Sequence, residues 1–294
     1  MQGHGPGAAF RFIAGDNLSG YSEGADRLVR AVRASGVRLE FRALEPGGNG
    51  KPAELRQHSR DPWPHEHAAP DAPTVANTIP PRLPQVREAV ADGPLIWQTV
   101  WETDRLPKPW VPLLNDVDRV LVPTHWNRDV FVASGVTVPI AVVPYVVCDT
   151  VPGDGGFPLE LPDDLVVFYT ISQWGARKDL ASTLRVFLEA FTIDDPVAFV
   201  IKTAALTSFQ PSNDWIGDSP LVGTTLLEVA RIVRSHPRPP LVRVEVGEWT
   251  PARIAGLHTR GDCFVSLTHG EGWHLGAFDA SAYEIGRASC RERV

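Results

Sequence analysis

Cysteine is scarce in this chain, methionine scarcer, and no long unbroken apolar run occurs. The three cysteines, Cys148, Cys263 and Cys290, are too far apart for a paired metal motif and form no disulfide framework, so a reducing cytoplasm is the expected setting. The longest charge-free apolar stretches, such as residues 139–148, fall well short of the ~20 residues that a membrane helix needs. No basic segment followed by an apolar one opens the chain, so no secretory signal is read. The expectation is a cytoplasmic protein, with peripheral association at the inner face of the membrane still open. Lysine is also rare, found at 51, 108, 178 and 202. The formal charge of −7 leaves no broad cationic surface for nucleic acid. A small anion needs only a local group of cations, and that is not excluded.

What is present is ordinary for a globular chain: 43% apolar and 21% charged residues over 294 positions, enough for about two domains at ~150 residues each. Two strand–helix series can be read. The first has strands at 9–14, 37–43, 74–79, 95–100, 120–123 and 140–147. Its helices fall at 22–35, with Ser22 as cap, and near 83–91, 110–115 and 126–134. Residues 45–73, rich in Gly, Pro and His, read as an irregular excursion. Residues 151–158, a Pro/Gly run, are the linker candidate.

The second series has strands at 165–171, 198–203, 242–246 and 263–267, with helices at 178–192, 225–234 and 251–259. Strands that alternate with helices predict parallel sheets built from βαβ units. A last helix starts after Gly276 and is cut off at Tyr283. Residues 284–294 lose all periodicity and match a common sequencing adapter translated in frame. They are set aside as a non-native tail, and the natural chain is expected to continue beyond Tyr283.

Three clusters at strand-to-helix junctions carry polar chemistry. In 268–279, glycines at 270, 272 and 276 let backbone come close to an anion at a helix N-terminus, and Glu271 and Asp279 can face one cleft as acceptors for sugar hydroxyls. A plain Gly-rich turn with an acid favourable to the helix dipole also fits. In 172–179, Arg177 and Lys178 stand where the helix dipole disfavours cations. An anion such as diphosphate explains the pair, and so does a solvated surface. Lys202 ends the next strand, as a ligand of the same anion or as a snorkelling side chain. After the strand at 95–100, Glu102 could touch an acceptor hydroxyl or cap its loop, while Trp97, Trp101 and Trp110 read as structural. Asp116 and Asp118 lead straight into an apolar strand and read as a helix terminus. His65 and His67 have the wrong spacing for a helical metal pair.

The run from Glu271 to Asp279 resembles the Glu-x7-Glu signature of retaining GT-B glycosyltransferases, with Asp in the second place. Residues 101–107, 117–124, 134–136 and 142–144 are similar to the later part of that family's N-terminal domain. Arg177-Lys178 with 187–191 is similar to the first unit of its donor domain. The resemblance runs over about residues 9–283. It implies a GT-B fold of two doubly wound Rossmann-type domains. Residues 1–150 would form the acceptor side, 151–283 an incomplete donor domain, and 284–294 the tail.

The resemblance also implies roles. Glu271 would hold the transferred sugar and Asp279 the ribose. The backbone of Gly272, Trp273, His274 and Leu275 would approach the donor. Lys178 would bind the diphosphate with Gly20 on its other side, and Lys202 would have a less fixed part. Glu271 and Lys178 would be the catalytic pair. Gln173 stands where the family often has Arg, so either Arg177 substitutes or the diphosphate is held more weakly. The implied activity is transfer of a sugar from a nucleotide-diphosphate sugar to an acceptor, with retention and with no cofactor. A sugar-nucleotide epimerase and an inactive sugar-nucleotide-binding fragment are the alternatives.

Overall fold

The computed structural model describes residues 9–16, 20–45, 52–61, 66–90, 93–147, 161–203 and 225–283, together with the backbone of 286–289. It divides into two compact units, Met1–Val146 and Val147–Val294. The linker candidate at 151–158 lies outside the described residues.

The first unit runs β1 (Phe10–Ala14), α1 (Gly20–Ala34), β2 (Leu39–Glu45), β3 (Glu54–Gln57) and β4 (Thr74–Asn77). It continues with α2 (Leu83–Ala89), β5 (Leu95–Gln98), α3 (Trp110–Leu114), β6 (Arg119–Val122), α4 (His125–Ala133) and β7 (Ile140–Val142). The sheet order is β3-β2-β1-β4-β5-β6-β7, parallel except for the antiparallel β2–β3 pair. Side chains alternate across the sheet. Phe12 and Ala14 of β1 join Val29, Phe41 and Val75 on one face, while Ile13 joins Trp97, Val120 and Phe131 on the other. Burial on both faces is why these strands read as near-continuous apolar runs.

Several boundaries differ from the sequence reading. Ser22, expected as a cap, is a buried residue inside α1. β7 stops at Val142 rather than running to 147. The excursion at 45–73 is not wholly irregular, because β3 pairs with β2 and His58 stacks on Phe41 with ring centroids 3.9 Å apart. β3 carries Glu54, Arg56 and Gln57 on a sheet edge, so it shows none of the apolar alternation that marks a half-buried strand. Of the two aspartates set aside as a metal motif, Asp116 is exposed just after α3 and Asp118 is structural. The Asp118 carboxylate accepts the Leu95 N–H at 2.7 Å and ties β5 to β6. His65 lies outside the described residues, and Glu66 between the histidines pairs with Arg33 and Arg38. Trp97 is buried in the core, and Trp101 packs edge-on against Trp110 at 4.7 Å.

The second unit runs β8 (Val166–Ile171), α5 (Leu180–Ala190), β9 (Val197–Lys202), α6 (Thr225–Arg234), β10 (Leu241–Glu245), α7 (Pro251–Arg260), β11 (Cys263–Ser266), α8 (Leu275–Ala282) and β12 (Gly286–Ser289). All neighbours are parallel, in the order β10-β9-β8-β11-β12. The α5/α6 face buries Leu184, Phe187, Phe199 and Ile232; the opposite face buries Tyr169, Leu257, Phe264 and Ala280. β12 falls in the segment set aside as adapter-encoded. Its ladder to β11 is made by backbone, which any sequence carries and which an open sheet edge accepts.

The chain winds outward from β8 to β9 and β10, then returns to the other side of β8 as β11. The carboxyl ends of β8 and β11 therefore flank a topological switch point, where open α/β sheets form ligand crevices.

Candidate functional site

Two loops leave that switch point. One joins β8 to α5 and carries Arg177, Lys178 and Asp179; the other joins β11 to α8 and carries Thr268 to His274. The expected start of the first helix at 178 moves to Leu180, because Asp179 is its N-cap and accepts the Ser182 N–H at 3.2 Å. Both cations thus lie in the loop before the helix, where their side chains can turn toward the neighbouring loop.

They turn to Glu271. Lys178 Nζ lies 2.5 Å from Glu271 Oε1, and Arg177 Nη1 lies 3.5 Å from Oε2. Arg177 Nη1 also donates to the Gly270 carbonyl at 2.6 Å, and Thr268 Oγ1 lies 3.0 Å from Glu271 Oε1. Backbone joins the loops as well, with the His269 N–H donating to the Arg177 carbonyl at 2.9 Å. His269 Nε2 stands 3.2 Å from Asp179 Oδ2. Residues 93 apart in sequence are thereby stitched into one polar cluster.

The Glu271 and Lys178 side chains are 15% and 19% exposed, so the pair is shielded but open to a ligand. Burial pushes the Glu271 carboxyl up, and the surrounding His274, Lys178 and Arg177 outweigh it, holding the group below its ordinary value. His274 is itself pushed down by burial, with Lys178 and Arg177 adding to the effect against the pull of Glu271. It is therefore neutral near pH 7, and Lys178 and Arg177 are the charges that hold Glu271 ionised there. Neutral His274 caps α8: its Nδ1 accepts the Ala277 N–H at 3.4 Å, and its Nε2 meets Ser266 Oγ at 2.9 Å.

The remaining expected residues spread out from this cluster. Gly272 is buried beside Glu271, Trp273 packs edge-on against Phe278 at 4.7 Å, and Leu275 opens α8. Gly276 needs its missing side chain, because a Cβ there would lie 3.1 Å from the Ile171 carbonyl and 3.2 Å from the Phe264 ring. Asp279 sits one turn further along α8 at 2% exposure.

Lys202 does not reach out from its strand. It is 9% exposed, and its Nζ donates to the carbonyls of Gly247 (2.8 Å) and Thr203 (3.2 Å) and lies 5.5 Å from the Trp249 ring centroid. Burial and Arg253 push its ammonium down against Glu245. These contacts belong to the β9–β10 side, not to the Glu271 cluster. In the first unit, Gly20 is the exposed first residue of α1, and Glu102 is half-buried after β5.

Sequence reasoning assigned no role to three contributors, Thr268, His269 and Asp179. A Thr and a His beside a Gly-rich turn carry no signal of their own until the loop from β8 comes alongside.

No family model and no curated protein matches this chain. Solved structures do. The E. coli trehalose-6-phosphate protein bound with UDP-2-fluoro glucose superposes with a TM-score of 0.63 at 11% identity, over 93% of this chain and 81% of that one. The α,α-trehalose 6-phosphate synthase of Burkholderia multivorans gives 0.62 at 11% identity, over 96% and 84%. HepE of Anabaena in complex with UDP-glucose gives 0.61 at 11% identity, over 95% and 79%. At such identity the likeness establishes the fold, which is the mixed α/β, GT-B-like architecture expected from the sequence. Among the described residues, no helix is long and apolar enough to cross a membrane.

Proposed function

We propose that this chain is a glycosyltransferase acting on a nucleotide-diphosphate sugar, with its donor site at the switch point of the second unit. The observation that carries the proposal is the clustering of Lys178 and Arg177 on Glu271 between two strand-to-helix loops. The shared fold supports it, since structures with that fold hold UDP-glucose or its 2-fluoro analogue. The finer reading is hexosyl transfer with retention.

Breaking the bond between a sugar and a nucleoside diphosphate places negative charge on the leaving phosphate. Cations already fixed in a shielded loop stabilise that charge without reorganising at the moment of reaction. Lys178 and Arg177 take this part. Glu271, ionised and acceptor-only, takes the hydroxyls of the transferred sugar. The backbone of Gly272 to Leu275 lies against the donor, and Asp279 takes the ribose. Gly20 completes the donor contacts, and Glu102 stands on the acceptor side. Lys202 takes no part in this assignment, because its Nζ is held by the Gly247 and Thr203 carbonyls. No side chain is assigned as a covalent nucleophile.

The deciding experiment measures UDP release from UDP-glucose with and without sugar acceptors, in the wild-type chain and in Lys178→Ala. Acceptor-dependent release that falls on the order of 10²–10³-fold in the variant is the expected result. An isomerised sugar nucleotide formed without acceptor and without net UDP release would identify an epimerase. Unchanged UDP affinity and turnover in Lys178→Ala would leave the lysine only a structural partner of Glu271.

A further inference from the structure

Two non-glycine residues among those described have positive φ: Asp179 (φ 45°, ψ 44°) and His274 (φ 66°, ψ 67°). Both are helix N-caps, and both border the charged cluster. Asp179 directly follows Lys178, and His274 comes three residues after Glu271. An N-cap ordinarily has extended backbone. The other side-chain helix caps among the described residues keep to that rule: Thr124 at φ −135°, ψ 157° and Thr250 at φ −65°, ψ 155°. Left-handed backbone is costly for a residue with a Cβ and free of that cost for glycine. The chain therefore bears the strain twice, at the same site, where glycine would have relieved it.

Their side chains explain why glycine does not stand there. Asp179 caps α5 with Oδ1 and meets His269 Nε2 with Oδ2 at 3.2 Å, reaching into the opposite loop. His274 caps α8 with Nδ1 and is anchored to the end of β11 through Ser266 Oγ at 2.9 Å. Each residue supplies a left-handed bend, which turns the preceding loop, and a side-chain lock that holds the bend in place. Strained backbone of this kind persists where its surroundings over-determine it, and it gathers at functional sites.

We propose that Asp179 and His274 are a matched pair of positioning residues, whose left-handed caps preset Lys178 and Glu271 face to face before the donor arrives. The proposal rests on reading this cluster as the donor site. It adds that the cluster's geometry is set by two strained helix starts, and not by the ion pair alone.

The test compares Ala, Gly and Asn at each position in the full chain. Alanine disfavours the left-handed bend and has no cap acceptor, glycine keeps the bend without the cap, and asparagine keeps both. UDP affinity is measured by titration calorimetry. Asp179→Asn should leave UDP affinity within about threefold of wild type, the change expected when bend and cap are both kept. His274→Asn, which keeps bend and cap but loses the reach to Ser266 Oγ, should weaken it by less than His274→Ala. Asp179→Gly and His274→Gly should be intermediate. Asp179→Ala and His274→Ala should lose about tenfold or more, because misplacing Lys178 from the diphosphate outweighs what freeing it from Glu271 returns.

A second readout needs no donor. The Glu271 carboxyl, faced by Lys178, Arg177, His274 and Thr268, is titrated by carbon-13 NMR in the Asp179 series. Asp179→Ala should bring it back toward its ordinary 4.5, while Asp179→Asn should leave it depressed. Folded alanine variants that keep both wild-type affinity and wild-type titration would overturn the proposal. If the alanine variants do not fold, the Asn and Gly variants decide, and equal wild-type behaviour of the two overturns it. Failure of the wild-type chain to bind UDP would refute the donor-site reading, while the Glu271 titration would still test the positioning.

Discussion

Replacing Glu271 by glutamine removes the negative charge that Lys178 and Arg177 hold in the unliganded chain, and the consequences for nucleotide and for sugar run in opposite directions. The carboxylate lies 2.5 Å from Lys178 Nζ and 3.5 Å from Arg177 Nη1, with Thr268 Oγ1 at 3.0 Å. A diphosphate that recruits the two cations must draw them from Glu271. Two unit charges 4 Å apart attract by about 4 kcal/mol at an effective dielectric near 20. Exposed pairs contribute only about 0–1 kcal/mol. This pair is shielded but not sealed, at 15% and 19% exposure, and the amide of glutamine still accepts a bond from Lys178. The net release is therefore about 1–2 kcal/mol, or UDP binding roughly 5–30-fold tighter in Glu271→Gln. On the proposed role of Glu271, sugar transfer should fall in the same variant, because an amide is a weaker acceptor for hydroxyls than a carboxylate.

Titration calorimetry with UDP, alongside turnover of UDP-glucose, reads both effects. The double variant with Lys178→Ala separates competition from simple repulsion. If Glu271 competes for Lys178, most of the gain in affinity disappears once the lysine is gone. UDP binding that is unchanged or weaker in Glu271→Gln would refute the competition. A gain that persists undiminished in the Lys178→Ala background would assign it to general repulsion.

Gly261→Ala should lower the thermal midpoint of the second unit. The new Cβ would collide with the ring of Tyr169, a fully buried residue held by His258 Nδ1 at 2.8 Å, and overpacking of this kind costs about 1–3 kcal/mol. A midpoint equal to wild type would mean that the Tyr169 ring yields. Glu40 concerns acid stability: burial raises its carboxyl, but Arg42 and Arg11 outweigh that and hold it below 4.5. Its contribution is thus complete above the unfolded value and is lost as pH falls through the depressed folded one. Glu40→Gln should flatten the acid side of the stability curve in urea unfolding from about pH 6 down to about pH 3, and an unchanged slope would rule out Glu40 as a source of it.

The sequence by itself determined the layer architecture and the addresses of the candidate site. Strands buried on both faces must be apolar throughout, and crossover helices must bury one stripe, so the βαβ alternation is written in residue type. The helix Thr225–Arg234 falls where its periodicity put it. Loops at the carboxyl ends of strands carry the polar clusters at 177–179 and 268–274, because the core leaves no other place for them. The edge strand β3 could not be read, since a strand that buries little carries no apolar pattern.

The assembly of the site belongs to the tertiary structure. Lys178 and Glu271 are 93 residues apart, and only the return of the chain from β10 to the far side of β8 brings their loops together. Lys202, which in sequence could equally have reached for an anion, is turned onto the Gly247 and Thr203 carbonyls by the pairing of β9 with β10. The left-handed backbone at Asp179 and His274 is likewise a tertiary decision. Neither residue type prefers that conformation strongly, and it is held there by partners that local sequence does not supply: His269 in the opposite loop and Ser266 at the end of β11.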